Sequence, residues 1–186
     1  MGKVLWNTMM SLDGFIAGPD DDMRWVFGVD VGAGKTAKEV VRATGALLVG
    51  RRTQDVEDRL QPGFYGGAFR GPFFVLRHDP PLDPPVVKGV TGQYLDVDIH
   101  EAVRVANDAA DGGDVVVLGA NLARQCLEAG LLDEIIVHLA PVLVGDGVRL
   151  FERAGGEPVR LEPISSEVEG ETTVLRYSVR RAGATS

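Results

Sequence analysis

Several short segments carry residue types that bind phosphate in proteins, and the first is GVDVGAGKT, residues 28–36. A phosphate-binding loop has a glycine, four residues, and then Gly-Lys-Thr or Gly-Lys-Ser. Gly34, Lys35 and Thr36 match the end of this pattern, but Val29 occupies the position of the first glycine. The preceding DMRWVF is not the buried strand that such a loop follows. The sequence therefore favours a plain loop that leads into the helix KTAKEVVRAT.

GRRT, residues 50–53, is a better candidate because it directly follows the apolar run ALLV. A glycine at the end of a strand allows a ligand to approach the backbone closely. Two arginines and a threonine then open a predicted helix, whose N-terminus attracts anions, and arginine binds phosphate through paired N–H groups. The alternative is a solvated arginine pair that balances the acidic residues of the same helix, and the spacing alone favours neither.

Two further segments follow predicted strands in the same way. LRH, residues 76–78, could hold a second phosphate, such as the 2′-phosphate that distinguishes NADP from NAD, or it could simply be solvated. LGANLA, residues 118–123, has small residues whose backbone can approach a pyrophosphate or a nicotinamide ring, although such turns also serve packing alone. Ligands of open α/β sheets bind at the carboxyl ends of strands, so the three turns together indicate a ligand site better than any one does.

The loop after the first predicted strand is MSLDGFIAGPDDDMRW, residues 10–25. Asp13 and Gly14 form a turn signal, and three apolar residues, 15–17, follow them. Apolar residues among Gly, Pro and Asp suggest a lid over a flat ring. The alternative is that they pin the loop to the core.

The elements that must position these segments are short apolar runs. The predicted strands are VLWNTM (4–9), ALLVG (46–50), FFVL (73–76), VVVL (115–118), IIVHLAPVLV (135–144) and TTVLRYSVR (172–180). The middle runs are typical of strands buried on both faces of a parallel sheet, whereas the last one alternates, with Thr173, Leu175, Tyr177 and Val179 on one face. Apolar residues at helical spacing over 99–106 and 122–127 predict helices between strands. This order predicts an α/β fold: a mixed, mainly parallel central sheet flanked by helices, with an antiparallel C-terminal part.

The length, charge and composition of the chain disfavour some classes of function. The 186 residues suit a single domain, expected over 1–182 with a frayed tail at 183–186. A net charge of −8 makes nucleic acid and anionic membranes poor partners, although a local basic cluster can still bind a small anion. The single cysteine, Cys126, excludes an intrachain disulfide, and neither a signal peptide nor a membrane span is evident, so we expect a cytoplasmic protein. The three histidines are far apart in sequence, and no metal site is predicted.

Four segments and the final strand carry a resemblance to a known family. They are SLDGFIA (11–17), LLVGRRT (47–53), FFVLRH (73–78) and VVVLGANLARQCLEAGLLDEIIVHLAPVLVGDGVRLF (115–151). With them the chain resembles the dihydrofolate reductase superfamily, and more closely the branch of the C-terminal reductase domain of bacterial riboflavin biosynthesis proteins (RibD C-terminal domain). The resemblance spans nearly the whole chain, and LLDEI…APVLVGDGVRLF is its most specific part.

The resemblance implies NADPH as hydride donor, an eight-stranded mixed sheet, and a homodimer whose interface could include the C-terminal strands. By position, the resemblance places Ile16 and Ala17 beside the nicotinamide, and it places Gly50, Arg51, Arg52 and Thr53 at the phosphates. It places Leu76, Arg77 and His78 at the adenine ribose and its 2′-phosphate. The residues under the pyrophosphate and nicotinamide would be Gly119, Ala120, Asn121 and Leu122. The family commonly has Gly-Gly where this chain has Gly119-Ala120, and the added methyl is expected to crowd the cofactor.

Three residues concern the substrate. The SLDG motif places Asp13 at the mouth of the cleft in the riboflavin-type branch, so Asp13 is the predicted catalytic residue or substrate contact, with a plain turn residue as the alternative. Asp22 and Trp25 are predicted to line the substrate pocket. No acidic residue aligns with the carboxylate that anchors the pterin in dihydrofolate reductases, so dihydrofolate is not the expected substrate.

The function that the sequence favours is an NADPH-dependent reductase acting on a C=N or C=O bond of a small heterocyclic or sugar-imine substrate, similar to riboflavin-pathway pyrimidine reductases. The first alternative is a non-catalytic protein of the same fold that binds a nucleotide, a flavin or a pterin. A phosphate-loop hydrolase or kinase is the least favoured function.

Overall fold

The computed structural model describes residues 2–179, so the predicted tail, 183–186, and the end of the predicted domain lie outside the described residues. Within that range there are twelve strands, four α-helices and three short 3₁₀ helices (Pro19–Asp21, Arg24–Gly28 and Phe64–Gly67). The strands are β1 (Val4–Ser11), β2 (Phe15–Ala17), β3 (Thr44–Gly50), β4 (Phe73–Leu76), β5 (Val86–Val87), β6 (Val90–Thr91), β7 (Gln93–Leu95), β8 (Asp114–Leu118), β9 (Glu134–Ala140), β10 (Val148–Arg149), β11 (Leu161–Glu169) and β12 (Thr172–Val179). The helices are α1 (Lys35–Ala43), α2 (Arg51–Leu60), α3 (Ile99–Ala109) and α4 (Ala120–Glu128).

Eight of these strands form one sheet, in the order β11-β12-β9-β1-β8-β3-β4-β7. Every neighbouring pair from β9 to β7 is parallel, whereas β12 runs antiparallel to β9 and β11 runs antiparallel to β12. The prediction of a mixed, mainly parallel sheet with antiparallel C-terminal strands is confirmed. The apolar runs of β3 and β8 are buried, as expected for parallel strands that are covered on both faces.

Two core clusters lie on opposite faces of this sheet. One joins β1, β3 and β8 to the helices α3 and α4, and it includes Trp6, Ala102 and Cys126. The other joins the alternate residues of the same strands to Val40 of α1 and to the segment 64–69. The predicted apolar faces of α3 and α4 are thus confirmed. Within residues 2–179, no helix combines the length and the apolar character that a membrane crossing requires.

The prediction of one long strand in IIVHLAPVLV is wrong beyond Ala140, where β9 ends. Pro141 follows and has no backbone N–H with which to continue a strand ladder. The chain turns instead into a loop, residues 141–147, in which the carbonyl of Val142 accepts a hydrogen bond of 2.8 Å from the backbone N–H of Leu12. The loop therefore lies against the turn that follows β1.

The C-terminal hairpin departs from its sequence pattern. β11 was not expected, because it contains Pro163 and mostly polar residues, and its side chains are exposed along almost the whole strand. In β12 the fully buried side chains are Thr172 and Val174, which lie on the face opposite to the predicted one. Leu175 and Val179 of the predicted face pack against the core that α3 and α4 cover, so β12 uses both faces.

The apolar residues of the predicted loop after β1 form the short strand β2, which pairs with β10. All three are buried, and the Arg149 guanidinium carbon lies 4.5 Å from the centroid of the Phe15 ring. Gly147 permits this pairing, because a Cβ there would lie 2.2 Å from the carbonyl oxygen of Ala17. These contacts favour the interpretation that the loop is pinned to the protein.

Glu134 anchors the start of β9. The residue is 1% exposed, and its carboxylate accepts hydrogen bonds from Lys3 Nζ at 2.9 Å and from Arg176 Nε of β12. A buried carboxylate is costly unless it is paired in this way. These two contacts connect the start of β9 to Lys3, which directly precedes β1, and to β12. β1 and β12 are the strands on either side of β9.

Gly45 allows β3 to begin tightly against the end of α3. The pairing of β3 with β8 shifts register between Thr44 and Ala46, as it does at a β-bulge. A Cβ at Gly45 would lie 2.1 Å from the carbonyl oxygen of Ala110, so a larger residue requires the backbone to move.

Gly45→Ala is expected to lower the free energy of unfolding by about 1–3 kcal/mol, because the added methyl overpacks this junction. Urea denaturation followed by tryptophan fluorescence measures the change. Gly28→Ala is the matched control, since no atom lies within 4 Å of a Cβ there, and it should change stability by less than about 0.5 kcal/mol. Equal stabilities of the two variants would contradict the packing at Gly45.

Candidate functional site

A cleft of about 1130 Å³ opens along the carboxyl ends of the central parallel strands. Because β4, β3 and β8 are neighbours in the sheet, the three turns predicted to bind a nucleotide meet at one edge. Every residue predicted to contact the cofactor lines this cleft: Ile16, Ala17, Gly50, Arg51, Arg52, Thr53, Leu76, Arg77, His78, Gly119, Ala120, Asn121 and Leu122. The structure brings them together, and their roles as cofactor contacts stay predictions. We call residues 50–53, 76–78 and 118–122 the nucleotide arm.

Two helix N-termini of the nucleotide arm are open. Gly50 precedes α2 and Gly119 precedes α4, and no side chain of the described part of the chain caps either helix. The other two helices are closed by carboxylates: Asp98 accepts from an N–H of α3, and Glu169 accepts from Thr36 of α1. Unpaired N–H groups at a helix N-terminus attract anions, so the two open helices are the ones that could take phosphate.

The contact between Glu169 and Thr36 argues against a phosphate loop at GVDVGAGKT. The Thr36 N–H and hydroxyl donate to the Glu169 carboxylate at 3.0 and 2.6 Å, and Lys35 Nζ lies 3.3 Å from a Glu167 oxygen. A carboxylate of the protein therefore occupies the position at which a phosphate would bind.

The arginines of the α2 turn lie at the mouth of the cleft. Arg51 pairs with Asp55 one turn later at 3.1 Å, and Arg52 lies 3.9 Å from an oxygen of Asp21. Both guanidinium groups are more than half exposed, so these pairs are weak in water and can be exchanged for a phosphate.

Gly119 is the residue of the nucleotide arm at which a ligand can approach the backbone closely. Its φ of +111° is unfavourable for any residue with a Cβ, and a Cβ would lie 2.9 Å from Thr53 Oγ. Ala120 begins α4 and is half-buried, packing partly against the core that α3 and α4 cover. Part of its methyl surface is thus turned away from the cleft, which eases the crowding expected from the Gly119-Ala120 pair.

The β4 turn holds Arg77 in place before any ligand arrives. Its backbone N–H donates to the carbonyl of Leu95 at 3.0 Å, and its guanidinium carbon lies 5.6 Å from the centroid of the Tyr94 ring. Its Nε atom is buried without a hydrogen-bond partner among the described residues. His78 is almost fully exposed, and its Nδ1 lies 2.9 Å from an Asp96 oxygen.

A second cavity of about 780 Å³ adjoins the nucleotide arm and shares Arg52, Ala120 and Asn121 with it. Four arginines and two glutamates line it: Arg52, Arg124, Arg149, Arg153, Glu128 and Glu152. This local excess of positive charge contrasts with the net charge of −8 of the chain. The surroundings of the arm therefore favour an anionic ligand.

Asp13 is not among the described residues that line the cleft, and its carboxylate is fully engaged elsewhere. It accepts hydrogen bonds from the Ser11 hydroxyl at 2.5 Å and from the backbone N–H groups of Val144 and Gly145 at 3.1 and 2.7 Å. These donors, the Ser11 hydroxyl first, lower the pKa of Asp13 from 3.8 to about 2. Its catalytic role stays a prediction, and its contacts instead support a clamp between the β1 turn and the 141–147 loop.

Asp22 and Trp25, the other predicted substrate contacts, are also not among the described residues of the cleft wall. The Asp22 carboxylate turns to Arg24, whose Nε and Nη2 donate to it at 2.9 and 2.8 Å. From the same segment, Asp21, Met23, Val26 and Phe27 do line the cleft. The segment therefore borders the cleft through neighbours of the two predicted residues, and the roles of Asp22 and Trp25 as substrate contacts stay predictions.

Three polar side chains at the cleft are hydrogen-bonded in a row, and the sequence did not predict them. Asn7 Nδ2 donates to the Tyr65 hydroxyl at 3.0 Å, and His138 Nε2 lies 3.0 Å from Asn7 Oδ1. All three residues line the cleft, and Asn7 and His138 are buried. The sequence does contain a signal, since Asn7 and His138 are polar residues within two otherwise apolar strands. Buried polar groups require hydrogen-bond partners, so such residues indicate that polar partners lie nearby. We call Tyr65, Asn7 and His138 the polar wall.

Glu57 is a second buried polar group of the cleft. Its carboxylate accepts a hydrogen bond of 2.7 Å from the Gly63 N–H and so fixes the loop that leads to Tyr65. Burial raises the pKa of Glu57 above its usual value. Among residues 2–179, no group of three or more His, Cys, Asp or Glu side chains is arranged to hold a metal ion.

Asp13→Asn is expected to remove part of the acid dependence of stability. Because the folded-state pKa of Asp13 lies below 3.8, the ionised form adds stability above about pH 4, and this is lost as the pH falls towards about 2. Thermal melts between pH 2.5 and 6 should show a smaller loss of Tm on acidification for this variant than for the wild type. Asp146→Asn is the control for the loss of one carboxylate from the same loop. Parallel curves for all three proteins would contradict the clamp.

Comparison with solved structures shows the fold. A candidate riboflavin biosynthesis protein from Shewanella sp. PV-4 is 23% identical, with a TM-score of 0.79 over 96% of this chain and 99% of that chain. The Thermotoga maritima diaminohydroxyphosphoribosylaminopyrimidine deaminase/5-amino-6-(5-phosphoribosylamino)uracil reductase is 16% identical, with a TM-score of 0.72 over 96% of this chain and 57% of that chain. The riboflavin biosynthesis reductase Rib7 of Saccharomyces cerevisiae is 16% identical, with a TM-score of 0.60 over 96% and 90%. The dihydrofolate reductase-like fold is confirmed.

Sequence comparison shows the family. A search of curated protein sequences finds no significant match. A family model described as the RibD C-terminal domain matches residues 2–175, which is most of the chain, and the predicted resemblance is confirmed. The chain belongs to the RibD C-terminal domain family.

Proposed function

We propose that the protein is an NADPH-dependent reductase that transfers a hydride to a C=N or C=O bond of a small heterocyclic or sugar-imine substrate. The observation that carries the proposal is the meeting of three strand-end turns, with their arginines, at one cleft. The family, and the reductases named among the structural relatives, support an oxidoreductase.

The nucleotide arm fits a phosphorylated dinucleotide. The buried, unpaired Nε of Arg77 suits a phosphate oxygen, because a buried donor without a partner is costly. Arg52 and the open N-terminus of α4 lie beside each other at the adjoining cavity, where a pyrophosphate would be neutralised. The missing Cβ of Gly119 leaves room for the cofactor against the backbone. NADPH, when bound, supplies the hydride, and the protein supplies binding and orientation.

The opposite part of the cleft suits a flat apolar ring. Val26, Phe27, Leu60 and Phe64 line it together with Ile16 of β2. Phe27 is 64% exposed at the rim, so a ligand in the cleft would cover an aromatic surface that now faces water. Apolar walls of this kind exclude water from the reacting atoms and hold a planar acceptor in place.

Arg52→Ala and Arg77→Ala are each expected to weaken NADPH binding about tenfold or more, because each removes a charged donor to phosphate. Isothermal titration calorimetry measures the dissociation constants, and NADH should bind more weakly than NADPH. Arg104→Ala is the matched control, since Arg104 lies on α3 and pairs with Glu101 and Asp108 instead.

Two results would contradict this proposal in different ways. No NADPH binding, with ATP or a flavin bound instead, would remove the reductase function. NADPH binding without oxidation in the presence of any heterocyclic or imine acceptor would favour the non-catalytic nucleotide, flavin or pterin carrier.

We also propose a homodimer that covers β11. This strand is at the edge of the sheet. It exposes the apolar side chains of Leu161, Ile164 and Val168, and the segment before it exposes Val159. An exposed edge strand with apolar side chains is a ready site for pairing with another chain. A second copy presents the same surface, so a two-fold contact would bury both edges at once.

The double substitution Ile164→Lys and Val168→Lys is expected to convert the dimer to a monomer, because it places charge at the covered edge. Sedimentation velocity measures the species. Leu82→Lys is the control, since Leu82 is fully exposed in the loop after β4 and should leave the dimer intact. A wild-type protein that sediments as a monomer at micromolar concentration would contradict the proposal.

A further inference from the structure

We propose that the second cavity, beside the nucleotide arm, binds a small phosphate monoester, and that this ligand is bound at the same time as the cofactor. Three arginines that do not belong to the nucleotide arm would hold its phosphate group: Arg124, Arg149 and Arg153. The inference goes beyond the proposed reductase function, because it concerns another ligand and other residues.

Two segments form most of the wall of this cavity. One is the face of α4 that is turned away from the core, and it contributes Arg124 and Glu128. The other is the segment 147–156, which contains β10 and contributes Arg149, Glu152 and Arg153. Arginines outnumber glutamates in this wall although the chain as a whole has a net charge of −8, so the field inside the cavity attracts anions.

Arg149 is held in position without the use of its N–H groups. Its guanidinium carbon lies over the Phe15 ring, 4.5 Å from the centroid, and this contact involves no oxygen acceptor. An oxygen of Glu152 lies 3.9 Å from Arg149 Nε, which is too far for a hydrogen bond. Arg149 donates no hydrogen bond to any residue in the range 2–179, so its five N–H donors are available to a ligand.

Arg124 and Arg153 share one carboxylate. An oxygen of Glu128 accepts from Arg124 Nη1 at 3.0 Å, and the other oxygen lies 3.8 Å from Arg153 Nε. Asn121 Oδ1 holds Arg124 Nη2 at 2.9 Å, which fixes that side chain further. The two arginine side chains are only 36% and 38% exposed, so water screens an anion beside them less than one beside Arg52, which is 67% exposed.

The lining of the cavity favours a small phosphate ester over a nucleotide. No aromatic side chain of residues 2–179 lines it, so a nucleobase or a nicotinamide ring would have no stacking partner there. A phosphate monoester has three terminal oxygens, which accept hydrogen bonds from several guanidinium groups at once. The volume of about 780 Å³ also leaves room for the organic group of the ester.

The cofactor leaves these three arginines unused in the proposed mode of binding. Its pyrophosphate is proposed to lie between Arg52 and the N-terminus of α4, which belong to both cavities. Arg124 lies one helical turn further along α4, and Arg149 lies on β10. The two ligands would therefore be neighbours that share Arg52, and each should weaken the binding of the other slightly and by the same factor.

The test is calorimetric titration of the full chain with glycerol 3-phosphate in a phosphate-free buffer, with and without saturating NADPH. One molecule of glycerol 3-phosphate is expected to bind per chain, and glycerol, which lacks the charge, is expected not to bind. NADPH should weaken the binding of glycerol 3-phosphate by less than about tenfold, because the two ligands share only the edge of the cavity.

Three substitutions test the residues. Arg149→Gln and Arg153→Gln should each weaken the binding of glycerol 3-phosphate about tenfold, because each removes a charged donor. Glu128→Gln should strengthen it at least about threefold, because Arg124 and Arg153 lose the carboxylate that competes with the phosphate. This gain in affinity is a readout that a purely structural role of Glu128 would not produce.

Arg104→Gln is the matched control. It makes the same change of charge and shape on α3, where Arg104 pairs with Glu101 and Asp108 and lines neither cavity. This variant should bind glycerol 3-phosphate and NADPH like the wild type.

The outcomes separate this site from the proposed reductase function. Equal affinities of Arg149→Gln, Arg153→Gln and Arg104→Gln for glycerol 3-phosphate would overturn the site, and so would a Glu128→Gln variant that binds no more tightly than the wild type. Full displacement of glycerol 3-phosphate by NADPH would overturn simultaneous binding and show that the cavity belongs to the cofactor. If the wild type does not bind NADPH, the reductase function fails, and the same variants still decide the phosphate site in the free protein.

Discussion

The whole cleft depends on the parallel pairing of β1 with β8 on one side and β9 on the other. This pairing brings the carboxyl ends of the central strands to one edge, where the turns after β3, β4 and β8 meet. Its register also sets Asn7 beside Ile136, and the next residue of β9 on that face is His138, within reach of the Asn7 amide. A slip of one residue would turn Asn7 towards the α3 and α4 core and break the polar wall. One ladder of backbone hydrogen bonds therefore positions both halves of the site.

Carboxylates of the protein decide which backbone N–H groups remain available to a ligand. Asp13 takes up those of Val144 and Gly145, Glu57 that of Gly63, and Glu169 that of Thr36. Each contact satisfies a donor that would otherwise compete for an anion, and each stiffens a segment at the edge of the cleft. The helices left open, α2 and α4, both face the nucleotide arm. An anion in the cleft would thus be directed to α2 and α4, because the other N–H groups at the cleft edge are already bonded and the arginines lie beside these two helices.

The features that the sequence predicts are local ones, and those that it misses depend on contacts across the chain. Strand ends followed by glycine and helix signals are read within a few residues, and so the turns of the nucleotide arm were found. The clamp of Asp13 joins residues more than 130 positions apart, and no spacing pattern reveals it. His138 was read as one of three scattered histidines because its partner, Asn7, lies 131 positions away. β11 was missed for another reason, since its side chains bury little and leave no apolar pattern.

The two halves of the cleft differ in charge and in solvation, and this difference would orient two ligands bound there together. The nucleotide arm offers exposed arginines that are held only by weak ion pairs, whereas the polar wall offers neutral hydrogen-bonding groups, of which Asn7 and His138 are buried. Buried neutral groups discriminate strongly, because a ligand that leaves one of them unpaired loses the hydrogen bond and also its desolvation energy. Exposed arginines discriminate weakly but attract at longer range. In such an arrangement the arm would supply most of the attraction for an anionic ligand, and the wall would supply most of the discrimination between uncharged ones.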